Sequence, residues 1–509
     1  MWNEKICWKD CAINFFQKKI GIFGDYDVDG ATSTSLLLRF LKDLNTSCEY
    51  YIPDRILEGY GPNINAFKKL KKLGCDIIVT VDCGISSNEE VKKAKKEGIE
   101  VIIVDHHQQS KILPEAFSII NPNQQIDESG LNNLAAVGVT FLLIVAITKK
   151  LKLDNYFSKN KEPYLLKYLD LVALGTVCDV VKLDSFNRAI VSNGIKIINR
   201  TQNLGIKSLI DTTNIKDEIN EYHLGFILGP RINAGGRIGN ASLGVKLLTS
   251  DNVAETNLLA EKLTDLNQER QKIESKVEKL ALEKVNIEKD IIFIHSKNWH
   301  VGVIGIVASR LVEKFGKPAI VVSELKGICK GSCRSVGDFN IGLLIKEAYE
   351  KNILLSGGGH KMAAGLSIEN TKLQDFEAFL NNKRIKNTKK NKFFDLNIKI
   401  ASFNTGFYKS ISKLSPYGAG NPKPIFCIKN SFIKYAKIVG NGHVSCLICD
   451  LYGNTIKAIA FKAVDNALGN SILNDNGKFK TFIGNMVLNR WSGSEVIEFQ
   501  LIDVIELIN

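Results

Sequence analysis

The 509-residue chain lacks a hydrophobic run long enough to cross a bilayer. Its longest, residues 134–147, holds 14 residues against the ~20 that a spanning helix needs, and reads as a buried helix. The opening MWNEKICWKD lacks the charged-then-apolar order of a secretory signal. Cys446-x-x-Cys449 has no second CxxC and no HxxxH to complete it, which argues against a structural zinc site. The cysteines number eleven, an odd count with no repeated spacing, and read as reduced thiols of a cytosolic protein. No membrane association is expected, and the expected location is the cytoplasm.

Hydrophobic residues make up 45% of the chain, enough for several cores. At ~150 residues per domain the length suggests two to four of them. The formal net charge is +13, which suits a polyanionic partner without naming one. Residues 386–509 hold 16 Lys/Arg against 8 Asp/Glu, a net of +8. The C-terminal region is therefore the better candidate for gripping a polyanion.

The first two hundred residues alternate strands and helices: KIGIFG, TSTSLLLRFLKDL, CDIIVTVDCG, NEEVKKAKKEG, IEVIIVDHH. Continuous Val/Ile runs mark strands buried on both faces, as in a parallel sheet. In residues 251–287, Leu259, Leu266, Ile273 and Leu280 recur every seven positions, with Leu263 and Val277 between them. That is one long amphipathic helix, read as a strut between domains in preference to a dimer coil. A second α/β segment follows, with KDIIFIHS and KPAIVVSE as strands around a helix. KRIKNTKKNK, residues 383–392, has six basic and no acidic residues and reads as a solvated linker or as a segment that touches phosphate. From Phe393 short β segments alternate with Gly/Asn turns, the pattern of a small barrel.

GDYDVDG, residues 24–30, sets three acids in five positions directly after an apolar run. Each ionised carboxylate raises the cost of ionising the next. A turn or helix N-cap explains one such acid. A polyvalent cation explains several together. Open parallel sheets bind ligands beyond the carboxyl ends of their strands. Asp25, Asp27, Asp29, Asp82, Asp105, His106 and His107 all fall at such ends, and Asp179 ends the apolar run of ALGTVCDVV. Hard oxygens with one or two imidazoles suit Mn²⁺ or Mg²⁺ better than zinc. Two ions ~3.5–4 Å apart, bridged by one carboxylate, would neutralise this rim and activate water for attack on phosphorus.

GDYDVDG, VDCGIS, VDHHQ and GTVCDVV resemble, in order, the four signature motifs of the DHH phosphoesterase superfamily. Downstream, GPRINAGGRIGNA, NWHVGVIGIVASR, GSCRS and GGGHKMAAGL resemble the DHH-associated domain. LSPYGAGNPKPIF resembles the start of the barrel in that superfamily's single-strand-specific DNA exonucleases. The resemblance covers residues 20–509. It implies a DHH phosphoesterase domain over 1–200, a helical segment with the long connecting helix over 201–287, a DHH-associated α/β domain over 288–385, and an OB-like nucleic-acid-binding β-barrel over 386–509. The implied activity is 5′→3′ degradation of single-stranded DNA to 5′-mononucleotides with two Mn²⁺ or Mg²⁺ ions, in DNA repair and recombination. The implied partners are single-stranded DNA, a helicase and single-strand-binding protein, with the enzyme acting as a monomer.

Carried over by position, the resemblance gives one metal to Asp27 and Asp82, with Asp25, and the other to Asp29, Asp82, His106 and Asp179. Asp82 bridges. His107 lies near the scissile phosphate, and Asp105 either binds metal or orients a histidine. Phe23 stands where many members have a metal-binding histidine, so the first metal would be bound more weakly or through Asp25 instead.

Arg55, Arg231, Arg237 and Arg334 offer guanidinium forks, and Ser332 a hydroxyl, to phosphate. A single arginine is otherwise a surface or structural residue. The resemblance gathers these five in a pocket for the 5′-terminal phosphate. The glycines of SGGGH allow backbone N–H groups close to phosphate, or simply make a flexible turn. By resemblance Gly358, Gly359 and His360 hold the nucleotide, and His300 either packs or touches substrate. The barrel carries Phe403, Phe407, Tyr408, Tyr417, Phe432, Tyr435, Tyr452, Phe461, Phe479 and Trp491. Most are expected in its core, with two or three stacking on DNA bases. Two other readings stand beside this one. An oligoribonuclease or cyclic-dinucleotide phosphodiesterase of the superfamily needs no basic barrel. A non-catalytic replication scaffold would not need the motif acids.

Overall fold

The computed structural model describes residues 18–200, 202–325, 327–385, 393–464, 466–474, 477–491 and 494–506. The opening decapeptide, most of the basic stretch 383–392 and the side chain of Trp491 lie outside this description. The chain divides into two compact units, Met1–Thr388 and Lys389–Asn509.

The first unit begins with β1 (Ile20–Gly24), β2 (Cys48–Tyr51), β3 (Ile77–Val81), β4 (Glu100–Val104) and β5 (Ser118–Ile120), in the order β2-β1-β3-β4-β5. All are parallel. The Val/Ile runs form strands because alternate side chains enter different cores. Ile20, Ile22, Val79 and Val81 join one core, Phe23, Ile78 and Ile103 the other. The first core includes α1 (Val28–Asp43), α4 (Ala136–Leu153) and α5 (Leu169–Cys178). The second includes α2 (Ile64–Lys72) and α3 (Asn88–Lys96).

The second sheet contains β6 (Ile292–Lys297), β7 (Ala319–Glu324), β8 (Ile328–Arg334), β9 (Ser356–Gly359) and β10 (Ala363–Glu369), in the order β6-β7-β8-β10-β9. Only its β6–β7 pair is parallel. Between the sheets come α6 (Gly229–Ile238) and the long α7 (Val253–Leu282); α8 (Val301–Phe315) follows β6. One helix of 30 residues bridges two cores: Leu259 and Leu263 enter the first sheet's, Val277 and Ala281 that of the second sheet with α8. The strut reading therefore holds, and of the sevenfold row Leu259 is buried while Leu266 and Ile273 pack half-buried on the two cores. Leu280 is exposed, and the buried line runs through Asn267, Arg270 and Glu274. Glu274 pairs with Arg270 on its own helix and accepts from Arg310 of α8 at 3.1 Å. A polar lock thus lies beside Leu266 and Ile273 in the helix middle.

In the second unit, β12 (Phe426–Val439), β13 (His443–Asp450), β14 (Thr455–Ala460), β16 (Ser494–Glu506) and β15 (Lys480–Trp491) pair successively. Pairing of β15 back onto β12 closes a five-stranded barrel, and β11 (Leu396–Asn397) runs beside β12. Cys446 is in the barrel core; Cys449, three residues along the strand, faces the other way, so the two do not share an ion. All nine cysteines among the described residues are free. Phe403, Phe407 and Tyr408 pack on the core, whereas Tyr435, Tyr452, Phe461 and Phe479 are exposed. No helix among the described residues is long and apolar enough to cross a membrane.

Candidate metal centre and phosphate pocket

The carboxyl ends of β1, β3 and β4 are adjacent in the sheet, and each is followed by acids or imidazoles. Three sets of side chains bring ligand atoms within 4.8 Å of one another: Asp25, Asp27 and Asp82; Asp29, His106 and Asp179; Asp82, His106 and His107. Asp179 arrives from the C-terminal end of α5. His106 Nε2 lies 3.3 Å from Asp82 Oδ1 and 3.9 Å from Asp29 Oδ2.

Several acids do two jobs. Asp27 N-caps α1 through Gly30 N–H at 3.1 Å. Asp29 accepts the first N–H groups of α4, Ala136 at 2.7 Å and Val137 at 2.9 Å. Capping and clustering are thus not alternatives here, because the caps hold the carboxylates facing one another. Asp105 is in none of the three sets. Its Oδ1 accepts from the N–H groups of His106 and His107 and lies 2.8 Å from His107 Nδ1, while Oδ2 accepts from Ile85 N–H. It orients both histidines. His106 Nδ1 sits 3.0 Å from the Leu134 carbonyl. A carbonyl only accepts, so Nδ1 carries the proton and the Nε2 lone pair faces Asp82.

Electrostatics agree with a cation site. Burial first, then Asp27 beside it, pushes Asp29 up to about 7. Burial, then Asp29 and Asp27, pushes Asp179 to about 9. Asp25 and Asp82 are driven well above the carboxylate range by burial and by neighbouring acids. Burial lowers His106 to about 4, keeping it neutral. Burial would also lower His107, but the Asp105 hydrogen bond and charge outweigh it and raise its pKa. Asp25 Oδ1 is buried with no hydrogen-bond partner among the described residues. Buried, mutually repelling carboxylates with an orphaned oxygen and a directed imidazole lone pair fit Mn²⁺ or Mg²⁺. Phe23 is wholly buried between Tyr51 and Phe67, in the core on the sheet's other face.

The second group is basic. Arg237 is pulled down to about 10 by burial, then by Arg55 and Arg270, with Arg334 also contributing. Arg334 is lowered by burial and by Arg55, and its Nη1 donates to Ser332 Oγ at 3.2 Å. Arg55 stacks over Tyr26 at 4.8 Å. Glycines permit the approach. A Cβ on Gly236 would stand 2.4 Å from the Tyr26 carbonyl oxygen, and one on Gly302 2.2 Å from that of Arg237. Hence α6 lies against the Asp25–Asp27 turn and α8 against α6. Arg55, Arg237, Ser332 and Arg334 are brought together. Arg231 stands apart: burial alone lowers its pKa, its Nη1 donates to the Ile227 carbonyl, and its Nε has no partner among the described residues. Gly358 and Gly359 belong to an edge strand, not a free loop, and His360 begins the exposed turn after it. His300 caps α8 through Gly302 N–H. Sequence reasoning missed Tyr60, whose hydroxyl donates to the Asp82 carbonyl at 3.1 Å. The glycines on both sides of it in EGYG were the available signal.

A parallel sheet with DHH-type motifs at its rim, a second α/β sheet and a closed barrel define a protein of the DHH fold with an added barrel. The DHH family N-terminal domain matches residues 19–176, the DHHA1 domain 284–386 and the RecJ OB domain 394–503. The chain is 35% identical over 480 residues to the single-stranded-DNA-specific exonuclease RecJ of Dickeya dadantii, covering 89% of this chain and 82% of the relative. It is 36% identical to RecJ of Bacillus subtilis, covering 96% of this chain and 62% of that protein. Crystallised RecJ from Thermus thermophilus in complex with Mn²⁺ superposes with a TM-score of 0.83 at 28% identity, over 98% of this chain and 71% of that one. The same protein has been solved with Mg²⁺, at a TM-score of 0.76. The chain belongs to the RecJ family. It spans less than two thirds of the length of its Bacillus subtilis relative.

Proposed function

We propose that this chain is a single-strand-specific 5′→3′ exodeoxyribonuclease that releases 5′-mononucleotides by metal-assisted phosphodiester hydrolysis, in DNA repair and recombination. The observation that carries this reading is the convergence of Asp25, Asp27, Asp29, Asp82, His106 and Asp179 from three strand ends and one helix end. Those residues would hold two Mn²⁺ or Mg²⁺ ions, with Asp82, common to two of the sets, between them. When bound, the ions supply Lewis-acid polarisation of the phosphodiester and lower the pKa of water. Asp105 holds His107 by its Nδ1 and raises its pKa, which favours the protonated imidazole that would offset negative charge or give a proton to the leaving oxygen. Arg55, Arg237 and Arg334 with Ser332 would take the 5′-terminal phosphate, a group only a strand end presents. His360, with Gly358 and Gly359, would touch the nucleotide from the edge strand. The basic barrel with its exposed aromatics would hold the trailing strand. The division of labour over 1–200, 201–287, 288–385 and 386–509 belongs to this reading. So do a monomeric state, a cytoplasmic location, and a helicase and single-strand-binding protein as partners.

The test is direct. The purified chain with Mn²⁺ and 5′-labelled single-stranded DNA releases mononucleotide and leaves blunt duplex intact. No release, or preference for short RNA or cyclic dinucleotides, would overturn the proposal.

A further inference from the structure

Tyr60 has no part in the roles above, yet it sits against two of them. Its loop, residues 52–63, joins β2 to α2 and carries Arg55. Glu58 folds the loop, its carboxylate accepting from the Tyr51 hydroxyl at 3.0 Å, Asp54 N–H at 2.8 Å and Asn63 Nδ2 at 2.9 Å. Asp54 Oδ1 in turn accepts from Ile56 and Leu57 N–H. Gly59 and Gly61 adopt φ of +83° and +87°, so the backbone bends sharply on both sides of Tyr60. The ring then meets Tyr26 edge-on at 6.5 Å, the same Tyr26 that Arg55 covers. The hydroxyl donates to the Asp82 carbonyl at 3.1 Å, and its oxygen lies 3.2 Å from His107 Nδ1 and 3.4 Å from Nε2. Asp82 needs such support, because its φ of +63° is uncommon for a residue with a side chain. Its N–H is already bonded to Val104, and Tyr60 holds the other end of the residue.

We propose that Tyr60 is a positioning residue, its hydroxyl tying the Asp82 carbonyl to the His107 ring and so locking the Arg55 loop, the imidazole and the carboxylate cluster in one register. This rests on the nuclease reading above. Tyr60→Phe keeps the packing on Tyr26 and removes only the hydroxyl bonds. With Mn²⁺ and a 5′-phosphorylated single strand, Tyr60→Phe lowers kcat about 10-fold and leaves KM within about 2-fold. Leu57→Ala, at an 85% exposed position of the same loop, changes neither. A second readout needs no turnover. In the metal-free protein with ¹⁵N-labelled histidine, the His107 ring signals, identified by their loss in His107→Asn, move in Tyr60→Phe while those of His300 and His360 stay. An unchanged kcat, a loss shared equally by KM, or unmoved His107 signals would overturn the proposal. If the wild-type chain releases no nucleotide, the nuclease reading falls, and the histidine spectra still decide the role of Tyr60.

Discussion

The two α/β sheets of the first unit leave opposite charges uncompensated. The all-parallel sheet delivers buried acids to its rim, and burial, then the neighbouring acids, drives their pKa values up. The mixed sheet and the helices before it deliver buried arginines, and burial, then neighbouring arginines, drives theirs down. Glu274 on α7, by contrast, is paired with Arg270 and Arg310. Unpaired burial destabilises a fold unless a ligand supplies the partner. The contrast therefore separates residues kept for stability from residues kept for binding, and a substitution should tell them apart by moving stability and activity in opposite directions.

The largest effect is expected at Asp82, the acid common to two of the three sets. Asp82→Asn suits the positive φ there and replaces a buried carboxyl that its neighbours make costly to ionise. Nucleotide release falls about 1,000-fold, while the melting temperature of the metal-free protein holds or rises. A fall in that temperature would move Asp82 to the structural class.

Next is removal of residues 393–509. Losing two stacked bases at ~1–3 kcal/mol each weakens single-strand affinity about 100-fold. The plot of log affinity against log salt also flattens, by ~0.7 for each phosphate that the barrel's lysines and arginines no longer neutralise. Unchanged affinity in a filter-binding titration would contradict the barrel's assigned part.

A smaller loss is expected for Arg334→Met, which keeps the apolar stem. KM for a 5′-phosphorylated strand rises about 10- to 50-fold, preference over a 5′-hydroxyl end disappears, and stability is kept. Equal loss on both ends would place Arg334 outside the phosphate pocket. The smallest effect is at Gly305, where a Cβ would stand 2.9 Å from Ser332 Oγ and 3.2 Å from Arg334 Nη2. Gly305→Ala raises the same KM about 3- to 5-fold, by the crowding of a packed site. Equal KM values would mean that the pocket yields.

The same contrast explains what was legible in the sequence. Val/Ile runs and the acids ending them are local signals, so the parallel sheet and Asp25, Asp27, Asp29, Asp82 and His106 could be read directly. Long-range fit could not. That Asp29 caps a helix more than a hundred residues away, or that Asp105 spends one oxygen on two histidines and the other on Ile85 N–H, depends on tertiary packing that no periodicity encodes. The glycine run 357–359 reads as a loop because glycine has low strand propensity, yet pairing with β10 makes it an edge strand. Heptad leucines marked the packed side of α7 but not the polar residues Asn267, Arg270 and Glu274 buried beside them at its middle. Arg231 and Arg237 share one motif but point to different tasks, a distinction of helix phase.

Titration of Mn²⁺ into the metal-free protein by calorimetry, in two buffers of different ionisation heat, addresses the carboxylate cluster most directly. Asp29 and Asp179, raised to about 7 and about 9, hold protons in the metal-free folded state that the unfolded chain would have lost above its ordinary value near 3.8. Their contribution to stability is thus present at low pH and lost as pH rises through those values, and a bound cation must displace the protons. The expected result near pH 7 is saturable Mn²⁺ uptake with net proton release, abolished in Asp82→Asn. Absence of uptake, or uptake without proton release that survives Asp82→Asn, would contradict the assignment of these acids to a cation site.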